Sequence, residues 1–336
     1  MRGNATMPAA VVVDDGGARS LAVREVPRPS IGQGEVLVRV RAAGLNRADL
    51  ALNAGHFRNA GAPTAAATAG VEFAGEVAEV GPGVSGFHAG DRVMAMCQGA
   101  FARYAKVHHR LLLRVPDEIG WEVAATAPVA LMTAHDALVT RAGLRTGEVV
   151  LVQAVTSGVG IVACRMARLL GAGLVIGTSG SAARLAKLAE LGLGPDVAID
   201  TSREDTAGQV RAATGGHGAD VIVDLVGGPC LETHLRSVAL RGRIVCVGRM
   251  GGSRGELDLD LLSTQRATIV GVTFRTRSLD EIAAVAARMG EEILPQVALG
   301  ALRWPVDQSF PLASIAQAYD WMRSRGPLGK VAITVD

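Results

Sequence analysis

The sequence predicts an α/β protein in which a β-rich unit is followed by a doubly wound unit with a parallel sheet. Three observations lead to this fold class. The chain has 336 residues, a length that favours two domains. Residues 9–115 are short apolar runs broken by Gly and Pro, which is typical of strands and turns. Residues 149–273 alternate between strand and helix patterns, and such alternation predicts a parallel sheet with helices on both faces.

The β-rich part begins with a predicted strand at Ala9–Val13 and continues through "EVLVRVRAAGL" and "GEVAEVGPGVSGFHAGDRVMAM". Turns are predicted at residues 81–83 and 90–91, where the chain reads Gly-Pro-Gly and Gly-Asp. Helical periodicity follows in "WEVAATAPVALMTAHDALV".

The doubly wound part contains six predicted strands: Val149–Gln153, Leu174–Gly177, Val197–Asp200, Val221–Val226, Arg243–Gly248 and Ala267–Thr273. The tail has predicted helices at Ser278–Met289 and Leu312–Arg323 and a last strand in "GKVAITV". This tail is expected to return to the first unit.

Composition and net charge limit the kinds of partner that the protein is expected to bind. The net charge of +2 implies neither a nucleic acid nor an anionic membrane as partner. No apolar run reaches the roughly 20 residues of a membrane-spanning helix, and the start lacks a secretory apolar region. The four cysteines show neither C-x-x-C nor a metal-binding spacing, so reduced, buried thiols in a cytoplasmic protein are expected.

A candidate phosphate-binding turn lies in "AVTSGVG", between a predicted strand and a predicted helix. Val155 and Ser157 occupy the first two glycine positions of G-x-G-x-x-G. The turn is still built of small residues, and its hydroxyl can donate to a phosphate oxygen at a helix N-terminus. The candidate contacts are Ser157, Gly158, Val159 and Gly160. A Gly-rich strand–helix turn without a nucleotide is the alternative.

The next strand indicates which cofactor this turn would bind. NAD-binding units place a carboxylate there for the ribose 2′-OH, but no Asp or Glu occurs between Gly160 and Glu190. Hydroxyls and a guanidinium suit a 2′-phosphate instead, so the sequence predicts NADPH. The candidate residues are Thr178, Gly180, Ser181 and Arg184. The alternative is that Ser181 caps a helix and that Arg184 is solvated.

The chain resembles the zinc-independent quinone oxidoreductases, or zeta-crystallin-like proteins, of the medium-chain dehydrogenase/reductase superfamily. The resemblance spans residues 7–336 and is carried by "RAAGLNRADL", "GVEFAGEVAEVGPGVSGFHAGDRVMA", "LMTAHDAL", "AVTSGVG", "VIVDLVGG", "VGRMGG" and "GKVAITV". It implies a GroES-like catalytic domain at 7–128 and 274–336 and a Rossmann domain at 129–273. It also implies a homodimer formed through the edge strand at Ala267–Thr273.

The same resemblance indicates that no metal is present. Zinc alcohol dehydrogenases of the superfamily have a ligand Cys where this chain has Asn46, and a ligand His where it has Val71. Glu72 remains, but one carboxylate does not make a site. His108 and His109 are adjacent, and neighbouring strand residues are expected to point to opposite faces, while the following "RLLLRVP" suggests a surface turn.

The resemblance assigns roles to individual residues. It implies that Asn46 lies beside the nicotinamide ribose and the substrate carbonyl, that Asp49 orders this corner, and that Thr133 faces the nicotinamide carboxamide. A helix cap is the alternative for the N-x-x-D pair. Further cofactor contacts are implied for Gly227, Gly248, Arg249, Met250, Phe274 and Lys330. The alternative for Lys330 is a solvated charge at the start of a strand.

Hydride transfer from NADPH to a quinone is the predicted reaction, because a quinone needs little electrophilic help. Relatives often carry tyrosines where this chain has Ala51 and Phe57, so the protons are expected to come from water. His56 is the nearest acid, or else a loop histidine that faces solvent. Two other functions stay open: a trans-acting enoyl reductase, similar to those of polyketide synthases, and a non-enzymatic NADPH-binding protein.

Overall fold

The computed structural model describes residues 5–15, 18–53, 67–203, 205–324 and 327–336. The chain divides into two compact units. The first unit comprises Met1–Val129, Arg275–Ala301 and Pro305–Asp336, and the second comprises Ala130–Phe274 and Leu302–Trp304. The assignment of 7–128 with 274–336 as a GroES-like catalytic domain and of 129–273 as a Rossmann domain stays a prediction.

The first unit contains a strand pair and a seven-stranded sheet. Strands β1 (Thr6–Asp15) and β2 (Ala18–Pro27) pair antiparallel. The sheet has the order β14-β15-β3-β4-β5-β7, and β6 also pairs with β3. Its strands are β3 (Glu35–Leu45), β4 (Glu72–Val80), β5 (Arg92–Met96), β6 (Tyr104–His108), β7 (Leu113–Arg114), β14 (Val306–Pro311) and β15 (Lys330–Thr334).

The register of this sheet brings three chain segments to one end. Strand β3 is antiparallel to both β15 and β4. Val331 pairs with Leu45, and Phe73 pairs with Ala43. The end of β3 therefore lies beside the beginning of β4 and the beginning of β15. The helices of this unit are α1 (Arg47–Asn53), α2 (Trp121–Ala125), α9 (Leu279–Ala298) and α10 (Ile315–Arg323).

Apolar side chains from the sheet and from α10 form the core of the first unit. Phe73, Phe101 and Ile333 are fully buried in it, and Tyr319 of α10 packs into the same cluster. The tail thus returns to the first unit, as the sequence predicts. The ring of Tyr319 is therefore part of the core of the first unit.

The second unit is a doubly wound, six-stranded parallel sheet in the order β10-β9-β8-β11-β12-β13. The order reverses between β8 and β11, the position at which such sheets bind ligands. The strands are β8 (Val149–Val152), β9 (Leu174–Ser179), β10 (Val197–Asp200), β11 (Ala219–Asp224), β12 (Val238–Cys246) and β13 (Thr268–Gly271). The predicted fold class is confirmed.

Helices connect these strands. They are α3 (Pro128–His135), which begins at the unit boundary, α4 (Gly158–Leu169), α5 (Ala182–Glu190), α6 (Thr206–Ala213), α7 (Leu231–Ser237) and α8 (Leu259–Gln265). A π-helical segment, Asp136–Arg141, continues α3. Among the described residues, no helix is long and apolar enough to cross a membrane.

Helix α9 is longer than the sequence predicts. A capping box of Ser278 and Glu281 starts it, but the helix passes Met289 and Gly290 and contains Pro295. It continues because its buried stripe continues: the helix keeps a buried residue every three or four positions, through Ile293 to Val297. Burial of this face outweighs the weak helix propensity of the glycine and proline.

Candidate active site

Four buried polar side chains meet at the end of the first unit's sheet. Asn46 follows β3, Asp49 lies in the first turn of α1, Glu72 begins β4, and Lys330 begins β15. Their exposed fractions are 8%, 2%, 0% and 3%. Buried charges are costly unless they are paired, so the contacts among these groups decide what the cluster can do.

Lys330 holds two oxygens of this cluster. Its Nζ donates to Asn46 Oδ1 at 2.6 Å and to Glu72 Oε1 at 2.7 Å. Asn46 Nδ2 also donates to Glu72 Oε1, at 2.7 Å. The other carboxylate oxygen of Glu72 accepts from the backbone N–H of Val129 at 2.8 Å. The Asn46 carboxamide is thereby held between a cation and an anion.

Asp49 contacts the backbone rather than the ammonium. Its Oδ2 accepts from the N–H of Asn46 at 2.8 Å, and its own N–H donates to Asn46 O. Asp49 therefore caps α1, as one interpretation of N-x-x-D proposed. The Asn46 side chain takes no part in this cap, because it contacts Glu72 and Lys330.

Asp49 is poised to exchange a proton near neutral pH. Burial, together with a smaller effect of the nearby Glu72 carboxylate, raises the pKa of Asp49 to about 7. The bond from Asn46 N and the charge of Lys330 act in the opposite direction. The cluster holds two carboxyl groups and one ammonium, so a protonated Asp49 leaves it electrically neutral.

Lys330 is therefore an internal group of the first unit. Its burial excludes the alternative of a solvated charge at a strand start. A direct contact between Lys330 and a cofactor stays a prediction. The sequence suggested no role for Glu72, because one carboxylate does not make a metal site. In the structure, Glu72 is hydrogen-bonded to both Asn46 and Lys330.

These residues do not fit a zinc ion. Asn46 Oδ1 and Glu72 Oε1 converge on the Lys330 ammonium, so a cation already occupies the point that they share. Zinc sites in proteins use thiolate, imidazole and carboxylate ligands, and Val71 offers none of them. In the part of the chain that the structure describes, no group of three or more His, Cys, Asp or Glu could hold a metal ion.

The expected orientation of the histidine pair is wrong. The ring centroids of His108 and His109 lie only 4.8 Å apart. The strand β6 ends at His108, and a 3₁₀ turn begins at His109, so the alternation of strand side chains stops between them. Burial lowers the pKa of His109, and the neighbouring His108 and Arg110 lower it further.

The cysteines agree only in part with expectation. All four thiols are free. Cys164 is a fully buried residue, whereas Cys97, Cys230 and Cys246 are half-buried. Burial of their sulfur atoms raises the pKa of the Cys97 thiol to about 12 and that of the Cys164 thiol to about 11. Both are held in the unreactive thiol form.

In the second unit, the candidate phosphate turn has the expected strand–turn–helix geometry. Ser157 is the N-cap of α4, and its Oγ accepts from Gly160 N at 3.1 Å. Its O–H stays available as a donor, and the first amides of the helix, Gly158 and Val159, lack intrahelical acceptors. A Cβ on Gly160 would lie 2.3 Å from Ala154 O, so only glycine fits there.

Of the residues predicted to bind the 2′-phosphate, Thr178 is buried inside the unit, whereas Ser181 and Arg184 lie at the start of α5. Thr178 is 1% exposed, so its side chain lies inside the unit. Ser181 caps α5 by accepting from Arg184 N at 3.4 Å, as the alternative interpretation held, and its O–H can still donate. Arg184 Nε is buried and has no hydrogen-bond partner among the described residues. A guanidinium nitrogen without a protein partner, on the helix that Ser181 caps, is suited to an anion.

The strand register reveals a carboxylate that the sequence pattern concealed. Asp200 ends β10 and pairs with Ser179 at the end of β9. Bonds from the Ser202 hydroxyl and N–H lower the pKa of Asp200. In the NAD-binding pattern the carboxylate lies at the end of the second strand of the unit, which is β9 here. The carboxylate of Asp200 lies at the end of the neighbouring strand, β10, instead.

The remaining candidates lie mostly in loops of the second unit. Gly227 has φ +99°, and a Cβ there would lie 2.4 Å from Gly252 O. Gly248 is equally restricted, by Leu225 O at 2.3 Å. Arg249 and Met250 are exposed, Phe274 is half-buried, and Thr133 is buried on α3. His56 and Phe57 lie outside the described residues, as does the side chain of Ala51.

Comparisons with known proteins agree with this architecture. Residues 158–290 match the family described as "Zinc-binding dehydrogenase", and residues 32–117 match "Alcohol dehydrogenase GroES-like domain". The quinone oxidoreductase of Pseudomonas aeruginosa is 33% identical over 95% of this chain and 96% of its own length. A mycobacterial protein, Rv1454c, whose structure is complexed with NADPH, is 29% identical with a TM-score of 0.86, over 98% of this chain and 99% of that one.

A different kind of relative has a higher identity over a shorter stretch. Erythronolide synthase EryA2 of Saccharopolyspora erythraea is 42% identical over 73% of this chain, which corresponds to 7% of the synthase. The fold and these matches define an oxidoreductase of the medium-chain dehydrogenase/reductase superfamily. Within it, the chain belongs to the quinone oxidoreductase-like family, which confirms the resemblance noted in the sequence.

Proposed function

We propose that this protein is an NADPH-dependent quinone reductase that works without zinc. The observation that carries the proposal is the buried Lys330–Asn46–Glu72 network, in which an ammonium occupies the point shared by two oxygen atoms. A metal ion would have to displace Lys330 from both contacts. A quinone is a fitting substrate, because the charge that develops on it spreads into the ring and needs no Lewis acid.

The cofactor proposal is supported by the second unit. The N-terminus of α4 with Ser157 suits a pyrophosphate, and Arg184 with Ser181 suits a 2′-phosphate. The NADPH complex of the mycobacterial neighbour supports the same choice. Gly227 and Gly248, whose backbones leave no room for a Cβ, are proposed to face the nicotinamide half, together with Arg249, Met250, Phe274 and Thr133.

A bound nicotinamide would supply the hydride, and the residues of the first unit would act on the substrate oxygen. Lys330 fixes the Asn46 carboxamide and polarises it, because its Nζ donates to the amide oxygen. One amide N–H is held by Glu72, and the other makes only a long bond of 3.3 Å to Gly44 O, so this second N–H is the donor that we propose turns to an oxygen that gains negative charge. Asp49 in its protonated form adds no second negative charge, so that the only carboxylate of the cluster is Glu72, whose charge Lys330 balances.

The assembly proposal rests on the edge of the second sheet. Strand β13 lies at the end of the strand order, and Ile269 in it is 36% exposed. An apolar edge of this kind favours pairing with a second copy. We propose a cytoplasmic homodimer, and Ile269→Asp is expected to halve the mass measured by sedimentation equilibrium. A wild-type monomer would refute the dimer.

The function is tested by NADPH oxidation with a panel of 1,4- and 1,2-quinones. We expect saturable turnover with one hydroquinone formed per NADPH. Asn46→Ala should lose this turnover while NADPH binding, measured by fluorescence, is retained. NADPH binding with no turnover of any quinone or enoyl thioester would instead support a non-enzymatic NADPH-binding protein.

An enoyl reductase acting in trans is the second candidate. One observation favours it: the 42% identity to erythronolide synthase EryA2 exceeds the identity to the quinone oxidoreductase of P. aeruginosa. An enoyl substrate requires protonation at carbon, so this function would need a placed acid. Asp49, with its raised pKa, is the acid that the first unit offers.

A further inference from the structure

Another buried carboxylate, Asp224, lies in the second unit and is not part of the cluster of Asn46, Asp49, Glu72 and Lys330. It is the last residue of β11 and is 2% exposed. Its Oδ1 accepts two backbone hydrogen bonds, from Val226 N and Gly227 N, both at 2.8 Å. A single oxygen thus fixes the loop that leaves β11.

The backbone of the same residue holds the neighbouring loop. Asp224 O accepts from Val247 N at 2.9 Å and from Gly248 N at 3.0 Å, directly after β12. The two loops are also bonded to one another, because Gly251 N donates to Val226 O at 2.8 Å and Gly228 N donates to Gly252 O at 3.0 Å. Asp224 is therefore the residue at which the loops after β11 and β12 are joined.

Among the described residues, His234 on α7 is the only histidine whose ring nitrogen lies within 4.0 Å of the Asp224 carboxylate. Its Nδ1 is 3.9 Å from Asp224 Oδ2, too far for a hydrogen bond. Both ring nitrogens are buried without a hydrogen-bond partner among the described residues. Burial lowers the pKa of His234 despite the opposing effect of Asp224, so the ring is neutral at pH 7. An ion pair with His234 does not explain the position of Asp224.

We propose that Asp224 is a positioning residue that holds the Gly227 and Gly248 loops in the shape that receives the nicotinamide half of the cofactor. This inference rests on the proposed function, which assigns both loops to the cofactor. The role is geometric: the oxygen must lie within hydrogen-bond reach of two adjacent amides whose glycine, Gly227, has a left-handed backbone. The charge of the carboxylate strengthens these bonds but is not required to form them.

Three substitutions separate geometry from charge. Asp224→Asn keeps an oxygen acceptor at the same distance from the chain and removes the charge. Asp224→Glu keeps the charge and moves the oxygens by one methylene, away from the two amides. Asp224→Ala removes both. Asp220→Ala is the matched control, because Asp220 lies in the same strand and accepts from Val149 N at 2.9 Å, far from these loops.

The first measurement is amide hydrogen exchange in the protein without cofactor. We expect faster exchange at Val226 and Gly227, whose amides bond to the side chain, in Asp224→Glu and Asp224→Ala, but protection close to wild type in Asp224→Asn. Val247 and Gly248 bond to the backbone oxygen of Asp224, so their exchange reports whether the change spreads to the second loop. The second is the dissociation constant for NADPH by fluorescence titration. It should rise about tenfold or more in Asp224→Glu and stay within about threefold in Asp224→Asn, because small displacements of a binding group cost large factors.

The outcomes that decide the inference are distinct from those that decide the function. If Asp224→Ala does not fold, the Asn and Glu variants still settle the matter. Loss of NADPH binding in Asp224→Asn with retention in Asp224→Glu would show an electrostatic role, and retention in both would show no role; either overturns the proposal. If wild-type protein fails to bind NADPH, the proposed function fails, while the exchange pattern still reports whether Asp224 holds the loops.

Discussion

The ammonium of Lys330 lies 2.6 Å from the amide oxygen of Asn46, so that two residues 284 positions apart in the chain form one contact. Strand β15 makes this possible by pairing with β3, the strand that leads into Asn46. Both side chains are buried, and Glu72 balances the charge of the lysine. Removal of this contact is therefore expected to change both the stability of the first unit and the orientation of the Asn46 carboxamide, the proposed catalytic group.

Replacing Lys330 by Met is expected to lower kcat for a quinone about tenfold or more, since 1.36 kcal/mol of lost transition-state stabilisation is a factor of ten. It should also lower the free energy of unfolding by about 3–5 kcal/mol, because the buried Glu72 carboxylate would lose its only charged partner among the described residues. Steady-state kinetics and urea unfolding measure the two effects. The dissociation constant for NADPH tests the cofactor contact that the resemblance implies for Lys330, and it should rise only if that contact is made.

The double variant Lys330→Met/Glu72→Gln separates stability from catalysis. Without a buried unpaired charge, it should regain most of the lost stability but none of the lost kcat. Lys106→Met is the control, since Lys106 forms an exposed pair with Glu35. A Lys330→Met variant with weakened NADPH binding and normal kcat would instead assign Lys330 to the cofactor.

Asp49 should make both stability and activity depend on pH. Its pKa is raised to about 7, whereas an unfolded aspartate titrates near pH 4. Between about pH 4 and 7 the unfolded chain has lost this proton and the folded protein retains it, so this group lowers stability as pH rises, by at most about 1.4 kcal/mol per pH unit. Below about pH 4 both states are protonated, and above about pH 7 neither is.

Asp49→Asn is expected to remove this dependence, so its advantage over wild type in thermal unfolding should grow from pH 5 to pH 8. The kcat/KM for a quinone should fall as pH rises through about 7 in wild type, because the ionised carboxyl adds negative charge beside the substrate oxygen. The Asn variant should show no transition near pH 7. A transition that persists in Asp49→Asn would assign it to another group.

Arg184→Ala is expected to weaken NADPH binding by about 1–3 kcal/mol, the range for charge-assisted hydrogen bonds. This corresponds to a dissociation constant raised roughly 5- to 150-fold. NADH binding should barely change, because NADH lacks the 2′-phosphate. Lys187→Ala on the same helix is the control, since Lys187 is exposed and pairs with Glu190 at 3.0 Å. Equal losses for both cofactors in a fluorescence titration would reject the assignment.

Dialysis against a strong chelator should leave quinone turnover unchanged. The reason is that Lys330 occupies the point between Asn46 and Glu72. Elemental analysis should find less than stoichiometric zinc in both the untreated and the treated protein. One zinc per chain, with activity that is lost on chelation and restored by zinc, would show that the metal-free proposal is incorrect.

The sequence was most informative where local chemistry determines structure. The strand–turn–helix at Ser157–Gly160 and the parallel strands follow from residue size and apolar patterning, which are local properties. The end of α9 was predicted too early, because Gly290 and Pro295 signal a stop that the buried face overrides. Propensity is a weak effect compared with burial.

The contacts within the candidate active site were harder to predict from the sequence. Lys330 meets Asn46 only because of strand register, a relationship that no local pattern encodes. The same is true of Asp200, which the register places beside Ser179. A usable signal did exist: Glu72, Asp224 and Lys330 are charged residues inside or at the ends of apolar strands, where a charge needs a partner.

The most direct test compares kcat/KM for a quinone with kcat/KM for an enoyl thioester, with NADPH at pH 7, in the wild-type protein. We expect the quinone value to be higher by about 10²–10⁴-fold, the range that a placed acid contributes to protonation at carbon, because in a quinone reductase Asp49 holds the backbone of Asn46 and does not act as the acid toward substrate carbon. An enoyl thioester preferred over every quinone, with turnover abolished in Asp49→Asn, would contradict this expectation and identify an enoyl reductase.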